Sequence, residues 1–267
     1  MTKMNRDDPE SVALDAALGT DQSGNKQIKL RHILPSLLTV FAICAGLTSV
    51  RMSIQDNTSA ALYLIMLAVL LDGMDGKVAR FFDTASPFGA ELDTLADFFN
   101  FGIAPGILLY SAIFRGTEYE SIGWLSCMVL AVCCALRLAR FNIALHDPAP
   151  PKLSHSYFVG VPAPALACLA LMPTFLILDG WSTLPDYGYV VALYVVLVAS
   201  LAVSTLPTFS IKHTSVRRSW LPFIVIGSIV LVMCLVVYQW ITLVIANLMY
   251  LASLPLAFIR SRRHDAA

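Results

Sequence analysis

Long apolar segments separated by short polar ones dominate the chain from about residue 33 onward. Cutting the apolar runs at charges and at Pro/Gly clusters gives eight candidate spans. They cover residues 33–50, 59–82, 88–113, 121–141, 159–179, 188–208, 219–237 and 239–259. At ~1.5 Å per residue, a helix of about 18 residues or more is long enough to cross a hydrocarbon core of about 30 Å. The pattern predicts an all-α fold, a polytopic transmembrane helical bundle of about eight spans.

The ends of the chain differ from this apolar body. Residues 1–30 are polar and lack the order of a basic segment followed by an apolar one that marks a secretory signal. We expect them to form a disordered cytosolic tail. Residues 31–260 are then the transmembrane domain, and residues 261–267 form a short C-terminal tail.

Composition excludes a soluble globular protein. Hydrophobic residues make up 57% of the chain and charged residues only 13%, and the mean hydropathy is +0.72. The charged fraction of an ordinary soluble domain is about twice as large. The formal net charge is zero and no basic block is present, so no nucleic-acid partner is expected. The six cysteines lie in apolar stretches without metal-like spacing and are interpreted as small core residues.

The basic residues predict the orientation. With both termini inside, the predicted cytosolic segments hold sixteen of the eighteen Lys and Arg residues, and only Arg51 and Arg115 fall outside. Cytosolic loops of membrane proteins carry such an excess of basic residues. Both termini are therefore expected to be cytosolic.

Four carboxylates interrupt helices that otherwise look embedded in the membrane. Asp72 and Asp75 lie near the end of the second span, and Asp93 and Asp97 lie near the start of the third. On a helix of about 100° per residue, each pair falls on one face. The short connection between the spans places both pairs at overlapping depths, so they are able to face each other. A carboxylate at membrane depth is costly and therefore marks a functional site by default.

Four convergent carboxylates repel one another in a low dielectric and need protons or cations between them. Mg²⁺ or Mn²⁺ prefers oxygen ligands, and a pair of such ions about 4 Å apart can clamp a displacement at phosphorus. Gly76, Ala79 and Gly89 lie on the same stripes. They either leave room for a ligand or permit close helix packing, and the two interpretations are compatible.

The spacing of these residues resembles the signature of the CDP-alcohol phosphatidyltransferases. The segment reads Asp72-Gly-Met-Asp75-Gly76-Lys-Val-Ala79-Arg80, then after eight residues Gly89, and Asp93 and Asp97 at intervals of four. The resemblance implies an enzyme in which an alcohol attacks the β-phosphorus of a CDP-linked lipid and CMP leaves. It implies that Asp72, Asp75, Asp93 and Asp97 bind two Mg²⁺ or Mn²⁺ ions, that Asp97 is also the general base, and that the CDP pocket is lined by Asp72, Gly76, Ala79, Arg80 and Gly89.

Further segments resemble one branch of that family, the bacterial integral-membrane phosphatidylserine synthases. These segments are residues 34–39, 101–105, 135–142, 160–165 and 204–210. The resemblance implies CDP-diacylglycerol and L-serine as substrates and the bacterial inner membrane as location, with the active site facing the cytosol and with membrane lipids and a second copy of the chain as further partners. Glycerol 3-phosphate, inositol phosphate or choline as acceptor stays an alternative, because the aspartate signature is shared across acceptors.

Two arginines of the fourth span are candidates for binding an anion. Arg137 and Arg140 lie three residues apart near the cytosolic end of the fourth span, where they can bind the acceptor carboxylate or a lipid phosphate. Alternatively, they extend to the membrane surface as ordinary interfacial residues.

A cation transporter is the competing class of function, because carboxylates within the membrane also line ion paths. The position of the four aspartates near one membrane surface argues against a transport site at the membrane midplane.

Overall fold

The computed structural model describes residues 30–82, 87–146, 157–204, 207–209 and 220–265. Residues 1–29 of the predicted tail, and residues 266 and 267, lie outside the described residues. The elements in chain order are α1 (Leu30–Ile54), α2 (Thr58–Phe82), α3 (Pro87–Phe98), α4 (Ala104–Leu109), α5 (Glu120–His146), β1 (Tyr157–Val159), α6 (Ala163–Ala170), α7 (Met172–Leu178), α8 (Gly188–Val203), β2 (Pro207–Phe209), α9 (Leu221–Val237) and α10 (Gln239–Asp265).

Within the described ranges, five helical segments are long and apolar enough to cross a membrane. They are Leu34–Ile54, Thr58–Val78, Pro87–Phe114, Glu120–Ala144 and Leu184–Val203. They correspond to the first four predicted spans and to the sixth. The protein is thus a helical integral membrane protein, as the hydropathy pattern predicts. Two shorter apolar helices, Phe223–Val237 and Gln239–Pro255, lie where the last two spans are predicted.

The fifth predicted span, residues 159–179, is not one continuous helix. It is divided at Leu171 into α6 and α7, and Pro173 occupies the first turn of α7. Proline has no backbone N–H to donate to the preceding turn, so a helix tends to end shortly before it. The total of eight spans stays a prediction.

The third span contains two wide turns of π-helix. The first, Phe99–Ile103, separates α3 from α4, and the second, Tyr110–Phe114, follows α4. Such turns occur mostly inside α-helices and are frequent at functional sites. The first turn places Asn100 in the interior against α1, where a Cβ atom on Gly46 would collide with the Asn100 side chain. Glycine at position 46 therefore allows the close approach of α1 to this turn.

A short antiparallel pair of strands was not predicted. Residues of β1 pair with β2 in the register Tyr157 to Phe209 and Val159 to Pro207. The pair connects the chain entering α6 with the chain leaving α8. Strands of three residues are too short to show an alternating hydrophobic pattern, so hydropathy does not predict them.

The core lies between α5, α6, α8 and the third span. Phe101, Leu130, Leu166 and Val195 are fully buried within it. Helix α9 differs, because every side chain described from residue 223 to 237 is exposed except that of Cys234, which is partly exposed. A helix that is apolar all round and lies outside the core is suited to contact with lipid.

Successive spans cross the bundle in opposite directions, as the hydropathy pattern predicts. Arg115, which follows the third span, forms a salt bridge with Asp56 at 2.8 Å and donates to the carbonyl oxygen of Ile54 at 3.2 Å. The turn after α1 and the turn after the third span therefore lie at the same end of the bundle. The acidic residues of α2 and α3 lie toward the opposite helix ends. Which end faces the cytosol stays a prediction.

We expect single cysteines at exposed positions Glu118 and Thr183 to be labelled from outside intact cells, and a cysteine at exposed Ala144 only after permeabilisation. The measurement is labelling with a membrane-impermeant maleimide, after replacement of the six native cysteines. Protection of Glu118→Cys or Thr183→Cys in intact cells would contradict the predicted orientation.

Candidate active site

Three of the four predicted acids come together where α2 approaches α3. Asp72 and Asp75 lie on one face of α2 because residues three apart are neighbours on a helix surface. Asp93 lies in the second turn of α3. One carboxylate oxygen from each of the three residues lies within 4.8 Å of the others. This spacing is compatible with shared coordination of a cation, as the sequence predicts.

Asp75 is the most buried of these acids and is held by two donors. Its side chain is only 5% exposed. The Thr39 hydroxyl on α1 donates to Oδ2 at 2.9 Å, and the backbone N–H of Gly76 donates to Oδ1 at 2.5 Å. Sequence reasoning did not identify Thr39 as a site residue. The only signal was a polar residue at the end of the Leu34–Thr39 segment that resembles the family.

Asp97 lies one turn beyond Asp93, outside the three-carboxylate cluster but in contact with it. Its carboxyl group shares a hydrogen bond with that of Asp72. The Oδ1 atom of Asp97 is buried and has no hydrogen-bond partner among the described residues. Two carboxyl groups at this separation need a proton or a bridging cation between them. The clustered carboxylate oxygens fit a hard divalent cation.

The glycine of the signature next to Asp75 borders open space. A Cβ atom on Gly76 would have no described protein atom within 4 Å. Close helix packing therefore does not account for a small residue at this position, whereas room for a ligand does. Gly89 is partly buried in the first turn of α3. Ala79 and Arg80 lie in the last turn of α2, and their side chains fall outside the described part of the structure. Their CDP-binding role stays a prediction.

The two arginines of α5 have different surroundings. The Arg137 side chain is partly buried and interacts electrostatically with Asp97 on α3 and Tyr250 on α10. Its Nε atom is buried and has no hydrogen-bond partner within the described ranges. Arg140 instead donates to the backbone carbonyl oxygens of Val203 at 2.8 Å and Ser204 at 3.2 Å. Arg140 thus ties α5 to the end of α8, whereas Arg137 interacts electrostatically with Asp97.

Gly160 completes the contact at the end of α8. Its φ of +82° lies in the left-handed region that favours glycine, and a Cβ atom there would lie 3.0 Å from the Ala202 carbonyl oxygen and 3.1 Å from that of Ser204. The backbone that follows β1 therefore passes close to the Ser204 carbonyl group, which Arg140 also binds.

Comparison with known proteins decides the family. The profile described as CDP-alcohol phosphatidyltransferase matches residues 32–200, which is more than half of the 267-residue chain. The protein belongs to this family. The predicted resemblance is confirmed, and the protein is a phosphatidyltransferase. The matched region contains the four aspartates and both arginines of the candidate site, but it ends before α9 and α10.

Curated relatives cover most of the chain. It is 35% identical over 245 residues to a protein of Mycobacterium tuberculosis named CDP-diacylglycerol–serine O-phosphatidyltransferase, covering 90% of this chain and 82% of the relative. A protein of the same name from Mycobacterium leprae is 36% identical over 234 residues, which is 86% of this chain and 76% of the relative. An archaetidylserine synthase of Methanothermobacter thermautotrophicus is 32% identical over 179 residues, covering 66% of this chain and 72% of that protein.

We expect Thr39→Val to weaken the binding of Mn²⁺ about tenfold, because loss of a hydrogen bond that orients a metal-binding side chain typically costs 10- to 100-fold in affinity. Thr48→Val is the matched control on the same helix, since among the described residues the Thr48 hydroxyl bonds only to the carbonyl oxygen of Cys44, at 2.7 Å. Electron paramagnetic resonance titration of purified protein with Mn²⁺ measures both. Equal affinities in the two variants would contradict the role assigned to Thr39.

We expect Arg140→Lys to lower the free energy of unfolding by about 1.5–3 kcal/mol, the usual range for a hydrogen bond to a charged group. Lysine keeps the charge but cannot present the two donors that reach Val203 and Ser204. Thermal unfolding in detergent measures the change, and Mn²⁺ affinity should stay at the wild-type value. Unchanged stability would show that these carbonyl contacts contribute little.

Proposed function

We propose that this protein transfers the phosphatidyl group of CDP-diacylglycerol to the hydroxyl of L-serine, giving phosphatidylserine and CMP. The observation that carries the reaction class is the cluster of Asp72, Asp75 and Asp93, with Asp97 in contact with it, inside a chain of this family. The choice of serine is supported by relatives at 35% and 36% identity that are named for serine transfer.

We assign the divalent cations to the four aspartates. Asp72, Asp75 and Asp93 would hold Mg²⁺ or Mn²⁺, and Asp97 would complete a two-ion site through the carboxyl oxygen that lies against Asp72. When bound, the cations offset negative charge on the pyrophosphate and on the departing CMP. The hydrogen bonds from Thr39 and Gly76 fix the orientation of Asp75 in this arrangement.

Asp97 is the proposed general base. The serine hydroxyl is a poor nucleophile at neutral pH, so its proton must be removed as attack develops. In a direct displacement, the hydroxyl oxygen bonds to the β-phosphorus, the bond from that phosphorus to the bridging oxygen of CMP breaks, and the proton moves to Asp97. A buried Oδ1 atom without a hydrogen-bond partner has a lone pair available for that proton.

The remaining predicted residues divide between the two substrates. We place the cytidine diphosphate against Asp72, Gly76, Ala79, Arg80 and Gly89, and the open space beside Gly76 supports this placement. Arg137 interacts electrostatically with Asp97 and is the better candidate for the acceptor carboxylate. The contacts of Arg140 favour a supporting role, in which it anchors α5 against α8.

We further propose that the protein resides in the bacterial inner membrane with this site at the cytosolic surface. The distribution of sixteen of eighteen basic residues in segments on the side of the aspartates supports this orientation. Membership in a transferase family argues against the competing cation transporter. Release of CMP, which a transporter would not produce, separates the two experimentally.

The deciding experiment is an acceptor panel. Purified protein with CDP-diacylglycerol and Mn²⁺ or Mg²⁺ is given L-serine, glycerol 3-phosphate, inositol 1-phosphate or choline, and CMP release and the lipid product are measured. We expect CMP and phosphatidylserine with L-serine and no activity in the presence of a chelator. CMP release with glycerol 3-phosphate but not with L-serine would overturn the assignment of the acceptor and leave the reaction class intact.

We expect Asp97→Asn to lower kcat by about 10²- to 10⁴-fold, the usual contribution of a positioned general base. Glu91→Gln is the matched control, because Glu91 is an exposed acid on the same helix, outside the cluster. The rate of CMP release measures both, and size-exclusion chromatography verifies folding. Comparable losses in the two variants would show that Asp97 has no special role.

A further inference from the structure

Three buried polar atoms without a hydrogen-bond partner among the described residues belong to side chains on three different helices. They are Asp97 Oδ1 on α3, Arg137 Nε on α5 and the Tyr250 hydroxyl on α10. The Arg137 guanidinium interacts electrostatically with both of the other groups. A buried donor or acceptor left unpaired is costly, so a group of them in one place indicates a binding site for a polar ligand.

Tyr250 is unusual within its own helix. Helix α10 is mainly apolar, and Tyr250 packs its ring against the main core cluster, next to buried Leu254. A buried tyrosine hydroxyl normally has a hydrogen-bond partner. Tyr194 follows that rule, because its hydroxyl donates to the carbonyl oxygen of Leu169 at 2.8 Å. The Tyr250 hydroxyl therefore has a donor available for a ligand, and the Tyr194 hydroxyl does not.

We propose that the Tyr250 hydroxyl and the Arg137 guanidinium together bind the carboxylate of the amino-acid acceptor. This inference rests on the proposed function, in which Asp97 receives the proton of the acceptor hydroxyl. In serine the hydroxyl and the carboxylate are attached to adjacent carbon atoms, so the groups that bind the carboxylate must lie beside the base. Arg137 meets that condition through its interaction with Asp97, and Tyr250, which interacts with Arg137, adds a second donor to the same site.

The charge of Arg137 and the hydrogen-bond donors of Arg137 and Tyr250 match a carboxylate ligand. A carboxylate offers two oxygen atoms that accept hydrogen bonds, the guanidinium offers charged N–H donors and the phenol adds one O–H donor. The last helix thus contributes to the acceptor site, although Tyr250 lies beyond residue 200, where the family profile ends. Neither the hydropathy pattern nor the family signature gives α10 this role.

The test compares Tyr250→Phe with Tyr194→Phe, since each substitution removes only a hydroxyl. We expect Tyr250→Phe to raise the KM for L-serine about tenfold, and the KM for CDP-diacylglycerol to change by less than about twofold. Its unfolding temperature should not fall, because no internal hydrogen bond is lost. Tyr194→Phe should unfold at a lower temperature and keep the wild-type KM for L-serine.

Two inhibitors identify the group that Tyr250 contacts. 3-Hydroxypropionate keeps the hydroxyl and the carboxylate of serine, whereas ethanolamine keeps the hydroxyl and lacks the carboxylate. In Tyr250→Phe, inhibition by 3-hydroxypropionate should weaken about tenfold and inhibition by ethanolamine should stay unchanged. An unchanged KM for L-serine, an equal rise of both KM values, or equal weakening of both inhibitors would overturn the inference and leave the serine reaction intact. Absence of CMP release with L-serine in the wild type would overturn both proposals.

Discussion

The mutual repulsion of clustered carboxylates is the constraint on which this structure depends. Asp72, Asp75 and Asp93 bring oxygen atoms within 4.8 Å of one another at the meeting of two apolar helices. Such a group is tolerated only where donors or cations offset its charge. Helix α1 supplies part of this compensation through the Thr39 hydroxyl, and the backbone of α2 supplies another part through Gly76. The position of α1 beside α2 is therefore tied to the chemistry of the cluster.

The packing around the cluster also sets the position of the arginine. The third span changes from α-helix to a π-helical turn directly after Asp97, and Gly46 lets α1 approach that turn closely. On the other side of the site, Arg140 fixes α5 to the carbonyl groups at the end of α8. Arg137 lies almost one turn earlier on α5 and interacts with Asp97. One arginine thus holds the helix that presents the other to the acids.

The sequence predicts the helices and the positions of the acids because both follow from local patterns. It does not predict the hydrogen-bond partners of the acids, because those lie far away along the chain. Hydropathy and the three- or four-residue spacing are local properties, and they locate α1, α2, the third span, α5 and α8 and place the aspartates on shared faces. The bond between Thr39 and Asp75 joins residues 36 apart, which no local pattern reveals. For the same reason Arg137 and Arg140, equivalent in spacing, could not be distinguished until α8 and α10 were placed. Pro173 is a local sign that the helix divides near Leu171, but the uninterrupted apolar run predicts a single span.

In the proposed reaction, the groups that act on every acceptor and the groups that distinguish the acceptors lie on different helices. Phosphorus, pyrophosphate and the leaving CMP are the same for every acceptor, and the proposed function assigns them to the cluster of aspartates on α2 and α3. Discrimination between acceptors needs buried polar groups that a wrong ligand leaves unpaired, which costs far more than the absence of a contact. Arg137 and Tyr250 carry buried polar atoms without a hydrogen-bond partner among the described residues. They come from α5 and α10, helices that lack the aspartates, so the acceptor contacts proposed for them can change without disturbing the carboxylate cluster.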